Sequence, residues 1–155
     1  MSREYDLAIA QYLRVIELDP DYYPAHWLLS LTYAEKGQLD QAIAAAEKSS
    51  ELSERISAAL GFLGRYYAMA GRAAEARQLL EELEARRRVT YVPPFSFAAI
   101  DCGLGELDKG LEWMARGIEE RDPVNVCALK SEPAYDALRS HATYQALLRK
   151  MNLGT

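Results

Sequence analysis

Residues 27–49 decide the fold and read WLLSLTYAEKGQLDQAIAAAEKS. A first apolar stretch with helical spacing, which includes Leu29 and Tyr33, ends at Gly37. A second stretch follows three residues later, beginning at Asp40. Glycine tolerates the left-handed backbone conformation that ends a helix, and aspartate is favoured where a helix begins. The stretch therefore predicts two helices joined by a tight turn.

The same pattern recurs with a period of 34 residues, which is the period of a known helix-turn-helix repeat. Small residues occupy two of the aligned columns, where they would let helix backbones approach each other closely. No segment shows the alternation of a β-strand. Six columns align in one register without gaps: Ala8, Ala42, Ala76 and Gly110; Gly37, Gly71 and Gly105; Leu29, Leu63 and Phe97; Ser30, Gly64 and Ala98; Tyr33, Tyr67 and Asp101; Asp6, Asp40, Ala74 and Asp108.

The apolar spacing and the glycine positions predict an all-α chain. A short helix and a last helix, capped by Ser140, are expected to close the C-terminal end of the array. The predicted helices lie at about 3–18, 23–36, 40–52, 57–70, 74–88, 94–104, 108–120, 124–130 and 141–150.

Composition and charge exclude several classes of protein. The chain has 155 residues, of which 50% are hydrophobic and 26% charged, as in one folded domain. A net charge of -5 disfavours a general nucleic-acid binder. Two cysteines and two histidines are too few for a disulfide scaffold or a structural zinc site. With no apolar run near the ~18 residues of a membrane span and no signal peptide, we expect a cytoplasmic protein without metal or cofactor.

The repeat resembles the tetratricopeptide repeat family. Residues 27–49 and 60–83 carry the family's order of a bulky residue, Leu and a small residue, then Tyr, Gly and Ala. Residues 95–123 depart from it at two columns, because Asp101 replaces Tyr and Gly110 replaces Ala. The resemblance implies a right-handed α-solenoid of antiparallel helix pairs, with about three and a half repeats and a C-terminal capping helix. Its divisions would be a half repeat at 1–22, repeats at 23–56, 57–90 and 91–123, and a capping segment at 124–155.

The C-terminal part carries a second resemblance, to the end of the tetratricopeptide region in bacterial multidomain regulators. In those proteins the region follows a kinase, cyclase or winged-helix DNA-binding domain, and no such domain is present in this sequence. The matching residues are Arg121, Asp122, Pro123, Leu129, Pro133, Tyr135, Asp136, Leu138, Arg139, Tyr144, Leu147, Leu148 and Met151.

The family resemblance also implies a concave groove lined by the first helix of each repeat. The groove would be mostly apolar, and it lacks the Lys and Asn set with which some family members grip a C-terminal carboxylate. A short apolar peptide or an amphipathic helix is therefore the expected partner. The alternative is that Trp27 and Phe95 pack against the chain's own tail. The candidate contacts are Trp27, Leu31, Glu35, Arg65, Met69, Phe95 and Cys102.

The incomplete first repeat is a second candidate surface. Residues 5–20 match only the second helix of a pair, so part of the apolar face of this helix would be exposed. Exposed contiguous apolar surface is typical of an interface. Either a second copy covers Tyr5, Ile9, Tyr12 and Leu13 in a homodimer, or an upstream segment did so in a longer parent.

These features favour a non-catalytic scaffold for protein–protein interaction, with neither nucleic acid nor membrane as a direct partner. The alternative is an oligomerisation or sensing appendage of a bacterial transcription regulator or signalling kinase. A small-ligand protein or an enzyme is a weaker alternative, because His26 and His141 have no Ser, Cys or Asp companion at a catalytic spacing. Asp101 sits where the repeat has Tyr, and a carboxylate there needs a hydrogen-bond partner or water.

Overall fold

This computed structural model describes residues 2–122, 135 and 138–151. These residues contain eight α-helices and no strand, and each observed helix boundary lies within one residue of the predicted one. The predicted short helix near 124–130 lies outside the described residues. None of the described helices is both long and apolar enough to cross a membrane. The helices are α1 (Ser2–Leu18), α2 (Tyr23–Glu35), α3 (Leu39–Leu52), α4 (Ser57–Met69), α5 (Ala73–Arg87), α6 (Pro94–Gly103), α7 (Leu107–Glu119) and α8 (Ala142–Lys150).

The turn inside each helix pair depends on a glycine. Gly37, Gly71 and Gly105 have φ angles of 78°, 77° and 78°. The N–H of the residue after each glycine donates to a carbonyl five residues earlier, at 2.8–2.9 Å. This is a Schellman ending, in which a left-handed glycine satisfies the last carbonyls of a helix. The glycine column of the repeat is therefore set by backbone conformation, as predicted.

The small-residue columns lie where helices touch. Ser30, Ala42, Ala76 and Ala98 are completely buried. A Cβ atom on Gly64 would come within 2.6 Å of Ile100 Cδ1, so α4 and α6 could not pack as closely with a larger residue there. These contacts join successive helix pairs into one core, which extends from α3 to α8.

The two ends of the array differ. At the C-terminal end, Tyr144 and Leu147 of α8 are buried and belong to the common core. The residue that caps α8 is His141, without a side-chain hydrogen bond, so the predicted cap at Ser140 is wrong. At the N-terminal end, none of the described side chains of α1, residues 4–18, is buried. Within the described residues, the solenoid is therefore closed by a helix at its C-terminal end and open at its N-terminal end.

Candidate protein-binding groove

A row of aromatic rings runs along the first helices. The ring centroids of Trp27 and Phe62 are 5.8 Å apart, and those of Phe62 and Phe95 are 5.4 Å apart. The row continues from Phe95 to Tyr135 at 6.4 Å and from Tyr135 to Tyr144 at 6.5 Å. Aromatic pairs at such distances stabilise packing beyond the area that they bury. The row therefore links α2, α4 and α6 to the C-terminal segment.

The predicted groove residues differ in exposure along this row. Trp27 and Leu31 on α2 are partly buried, whereas Glu35 on α2 and Met69 on α4 are exposed. The other three candidates, Arg65, Phe95 and Cys102, lie in the buried interior. The open part of the face is therefore formed by α2 and the end of α4. The role of any of these residues in partner binding stays a prediction.

Two groups from beyond α7 cover the face at α6. Tyr135 packs edge-on against Phe95, and Asp122 Oδ2 accepts a hydrogen bond of 3.2 Å from the Phe95 backbone N–H. Asp122 is almost fully buried and thus satisfies an N–H in the first turn of α6. Among the described residues, the tail packs against Phe95, whereas Trp27 packs against Phe62. In the sequence, Asp122 and Tyr135 are indicated only by the resemblance of the C-terminal part to bacterial multidomain regulators.

Gly61 lets α4 and α6 approach each other closely on the groove side. Its register position is that of Trp27 in the preceding repeat and Phe95 in the following one. A Cβ atom on Gly61 would lie 2.8 Å from Ser96 Cα, which is closer than real contacts allow. The two helix backbones therefore touch at Gly61, and this groove position serves packing.

A small apolar pocket opens beside Trp27. Its volume is about 60 Å³, and it lies between the starts of α2 and α4 and the end of α3. The indole Nε1 of Trp27 is buried, with no hydrogen-bond acceptor among the described residues. An unsatisfied buried donor of this kind costs about 1–3 kcal/mol. The pocket is lined by Tyr23, Trp27, Ser49, Ile56, Ala58 and Ala59.

A second, polar cleft of about 220 Å³ lies between α4 and α5. Both Nε and Nη2 of Arg55 donate to the Glu82 carboxylate, at 3.3 and 2.5 Å, and Arg55 lowers the pKa of Glu82. Tyr67 donates to Glu47 at 2.7 Å, and burial together with this bond raises the pKa of Tyr67 to about 12. These groups are matched within the chain, so the cleft does not favour the small-ligand alternative.

The Asp101 position shows how the fourth repeat accommodates its departures from the pattern. Asp101 is buried, and it accepts a hydrogen bond from the side chain of Trp113, whose ring stacks on Phe97 at 4.3 Å. Burial, with the nearby Glu106 charge, raises the pKa of Asp101 to about 6. A Cβ atom at Gly110 would overlap the Cys102 sulfur, so glycine replaces the usual alanine beside a bulkier neighbour. The two departures are thus local packing adjustments.

The remaining polar candidates have structural partners. His26 Nε2 lies 2.8 Å from the Pro20 carbonyl oxygen, which only accepts, so Nε2 donates and ties the α1–α2 turn to α2. In the basic run at the end of α5, Arg86 pairs with Glu82 at 2.7 Å. Arg87 lies 4.9 Å from the centroid of the Trp113 ring. The described residues contain no group of three or more His, Cys, Asp or Glu side chains placed to hold a metal ion.

Comparison with known protein families places a repeat on α2 and α3. The sequence model of the tetratricopeptide repeat matches residues 23–55. Residues 23–55 are a tetratricopeptide repeat. Together with the helices on either side, this makes the fold an all-α tetratricopeptide solenoid. No curated protein matches the chain. Tetratricopeptide repeats generally mediate protein–protein interaction and are generally non-catalytic.

Proposed function

We propose that the chain is a non-catalytic scaffold that binds a peptide or an amphipathic helix in the exposed part of the groove, which is formed by α2 and the end of α4. The observation that carries this proposal is the apolar pocket beside Trp27, next to partly exposed Leu31. Aromatic residues in pockets are the side chains that most often dominate interface energy. Among the described residues, Cys102 is a free, buried thiol, which fits a reducing, cytoplasmic location.

The geometry of α2 specifies the ligand further. Trp27 and Glu35 lie eight residues apart, which is about 12 Å along a helix. Glu35 is exposed and has no ion-pair partner among the described residues. The proposed ligand therefore carries a small apolar side chain for the pocket. It also carries a Lys or Arg about 12 Å away, which is about eight residues on a helix or about four on an extended strand.

The test uses Trp27 as its own reporter. In a Trp113→Phe background, Trp27 is the only tryptophan, so ligand binding is followed by its fluorescence. Peptides with one apolar anchor and one Lys at the stated spacing are titrated against chains that differ only at the groove. We expect Glu35→Lys to weaken binding by about tenfold, since it replaces an attraction with a repulsion. Met69→Ala should weaken it by a smaller factor.

Val89→Ala is the matched control, because Val89 is exposed and apolar but lies beyond α5, away from the groove. Trp27→Ala, measured by calorimetry or anisotropy, should reduce affinity by at least about tenfold while the helical circular dichroism remains. Equal affinity of the Glu35→Lys, Met69→Ala and Val89→Ala chains would refute binding at this face.

One observation favours the alternative role as an oligomerisation appendage of a larger regulator. The N-terminal end of the solenoid is uncovered, and most of the large exposed apolar side chains gather there. The two roles are compatible, because they use different surfaces.

A further inference from the structure

One side of α1 is exposed because no partner helix precedes it among the described residues. α1 has the register of α3 and α5, so Val15 corresponds to Ser49 and Leu83. Val15 is 38% exposed, whereas Ser49 and Leu83 are 2% and 0% exposed. The helix that precedes each second helix supplies this cover: Ser49 Oγ, for example, donates to the Tyr23 carbonyl of α2 at 3.3 Å. No described helix stands before α1 to do the same.

α2 shows the same missing neighbour independently. Leu28 has the register of Phe62 on α4 and Ser96 on α6. Leu28 is 38% exposed, against 4% for Phe62 and 0% for Ser96. Those two residues are covered by the preceding first helix, since Phe62 packs on Trp27 and Ser96 on Gly61. A single helix beside α1 and α2 would therefore cover Val15 and Leu28 together.

We call this surface the N-terminal trough. Helical periodicity places its α1 residues on one face, whereas Tyr5, Ile9 and Tyr12 are turned toward α2 and are partly buried. Leu13 is exposed, but it lies on the side of α1 opposite the trough. The stripe predicted for self-association therefore lies mostly against α2. The trough consists of Leu7, Ala8, Gln11, Val15, Leu18 and Leu28.

We propose that a second copy of the chain occupies the N-terminal trough, with its α1 antiparallel to the first. A preceding first helix runs antiparallel to its second helix, so this orientation repeats the pattern of the solenoid. In a pair centred on Gln11, Val15 faces Leu7 of the second copy, and a twofold axis uses each contact twice. The face is apolar at both positions.

Charge complementarity supports a second copy as the occupant. Glu4 and Arg14 are exposed, and neither has an ion-pair partner among the described residues. In the antiparallel pair Arg14 faces Ala8 of the second copy, which lies four residues, about 6 Å along the helix, from that copy's Glu4. The arginine side chain spans this distance, so two Glu4–Arg14 pairs flank the apolar contact.

The size of the trough predicts a dimer that dissociates on dilution. α1 has 17 residues, which makes it about 25 Å long. Stable interfaces bury about 1,200–2,000 Å², and one helix pair with a flanking leucine lies at the low end of that range. The molar mass should therefore rise from monomer to dimer as the concentration increases.

The test is light scattering after size exclusion, over about 1 µM to about 1 mM protein. We expect Val15→Glu to weaken dimerisation by at least about 100-fold, because it buries a carboxylate without a partner. Leu13→Glu is the matched control, since it places the same charge on an equally exposed residue of α1 outside the trough. Leu7→Glu serves as a second trough variant, and circular dichroism checks that each chain remains helical.

Charge reversal tests the orientation. Glu4→Arg and Arg14→Glu should each weaken the dimer by about threefold to tenfold, and the double variant should restore it. A wild-type monomer at 1 mM would overturn the proposal, and so would loss of the dimer in Leu13→Glu with retention in Val15→Glu. Failure of the double variant to regain affinity would overturn the antiparallel arrangement. Trp27→Ala should leave the dimer intact, which separates this result from that of the groove.

Discussion

Replacement of Asp101 by Asn should make the protein more stable, and by a larger amount near neutral pH than in mild acid. Asp101 is buried on α6, and burial is the main cause of the rise of its pKa from 3.8 to about 6. The Glu106 charge raises that pKa further, whereas Lys109 and the Trp113 hydrogen bond lower it. An asparagine oxygen can still accept the bond from Trp113, but the side chain carries no charge to desolvate.

The sign of the effect follows from proton linkage. Between its unfolded and folded pKa values, Asp101 binds more protons in the native chain than in the unfolded one, so stability falls as the pH rises through this range. Each pKa unit is worth about 1.4 kcal/mol, so full ionisation costs about 3 kcal/mol. About 2 kcal/mol of this cost falls between pH 4.5 and pH 7. Asp101→Asn lacks the cost at every pH.

Urea unfolding followed by circular dichroism measures this difference. The free energy of unfolding of Asp101→Asn should exceed that of wild type by about 2 kcal/mol more at pH 7 than at pH 4.5. This corresponds to a midpoint shift of about 1 M urea. The pKa values of Glu75, Glu82 and Glu106 are lowered by ion pairs that both chains retain.

A stability difference between the two chains that is the same at pH 4.5 and pH 7 would refute this reasoning. It would mean that Asp101 is hydrated or paired well enough to ionise normally. A difference of the opposite sign would mean that the ionised carboxylate stabilises the fold through Trp113 and Lys109.

Two further predictions concern Cys102, in addition to those given for the groove and the trough. Gly110→Ala should cost about 1–3 kcal/mol of stability, because its Cβ would overlap the Cys102 sulfur. In a Cys102→Ala background that penalty should disappear, and an equal penalty in both backgrounds would show that the sulfur is not the obstacle. Burial raises the pKa of the Cys102 thiol to about 12. At pH 8 a disulfide reagent should therefore modify Cys102 at least about 100-fold more slowly in the folded chain than in the unfolded chain. Peptide mapping measures its rate separately from that of Cys127, and similar rates in the folded and unfolded chains would contradict the buried position.

The sequence predicts the helices because the signals for them are local. A glycine with positive φ, such as Gly37 or Gly71, ends its helix through hydrogen bonds within six residues. The apolar spacing within one helix reports which side is buried. Small residues of the columns, such as Gly64 and Gly110, report where helices touch, because a Cβ atom at either position would overlap a side chain of α6. These features also indicate the repeat and hence the solenoid.

The open and closed parts of the surface were decided only by the tertiary structure. Phe95 and Trp27 share one register position, yet Tyr135 and Asp122 cover Phe95, whereas a pocket opens beside Trp27. The partners of Phe95 lie 27 and 40 residues along the chain, beyond the reach of any periodicity. The hydrogen bond from Trp113 to the buried Asp101 also joins two different helices, so the spacing within one helix does not predict it.

The N-terminal end shows most clearly what the sequence determines and what only the tertiary structure decides. The sequence alone determined that α1 has the register of a second helix and that it carries apolar residues on more than one side. Only the packing of α1 against α2 decided which side is exposed, because Tyr5 and Ile9 are covered by α2 while Val15 is not. A helix has apolar residues on several sides, and which of them reaches solvent depends on neighbours in space rather than on the order of residues.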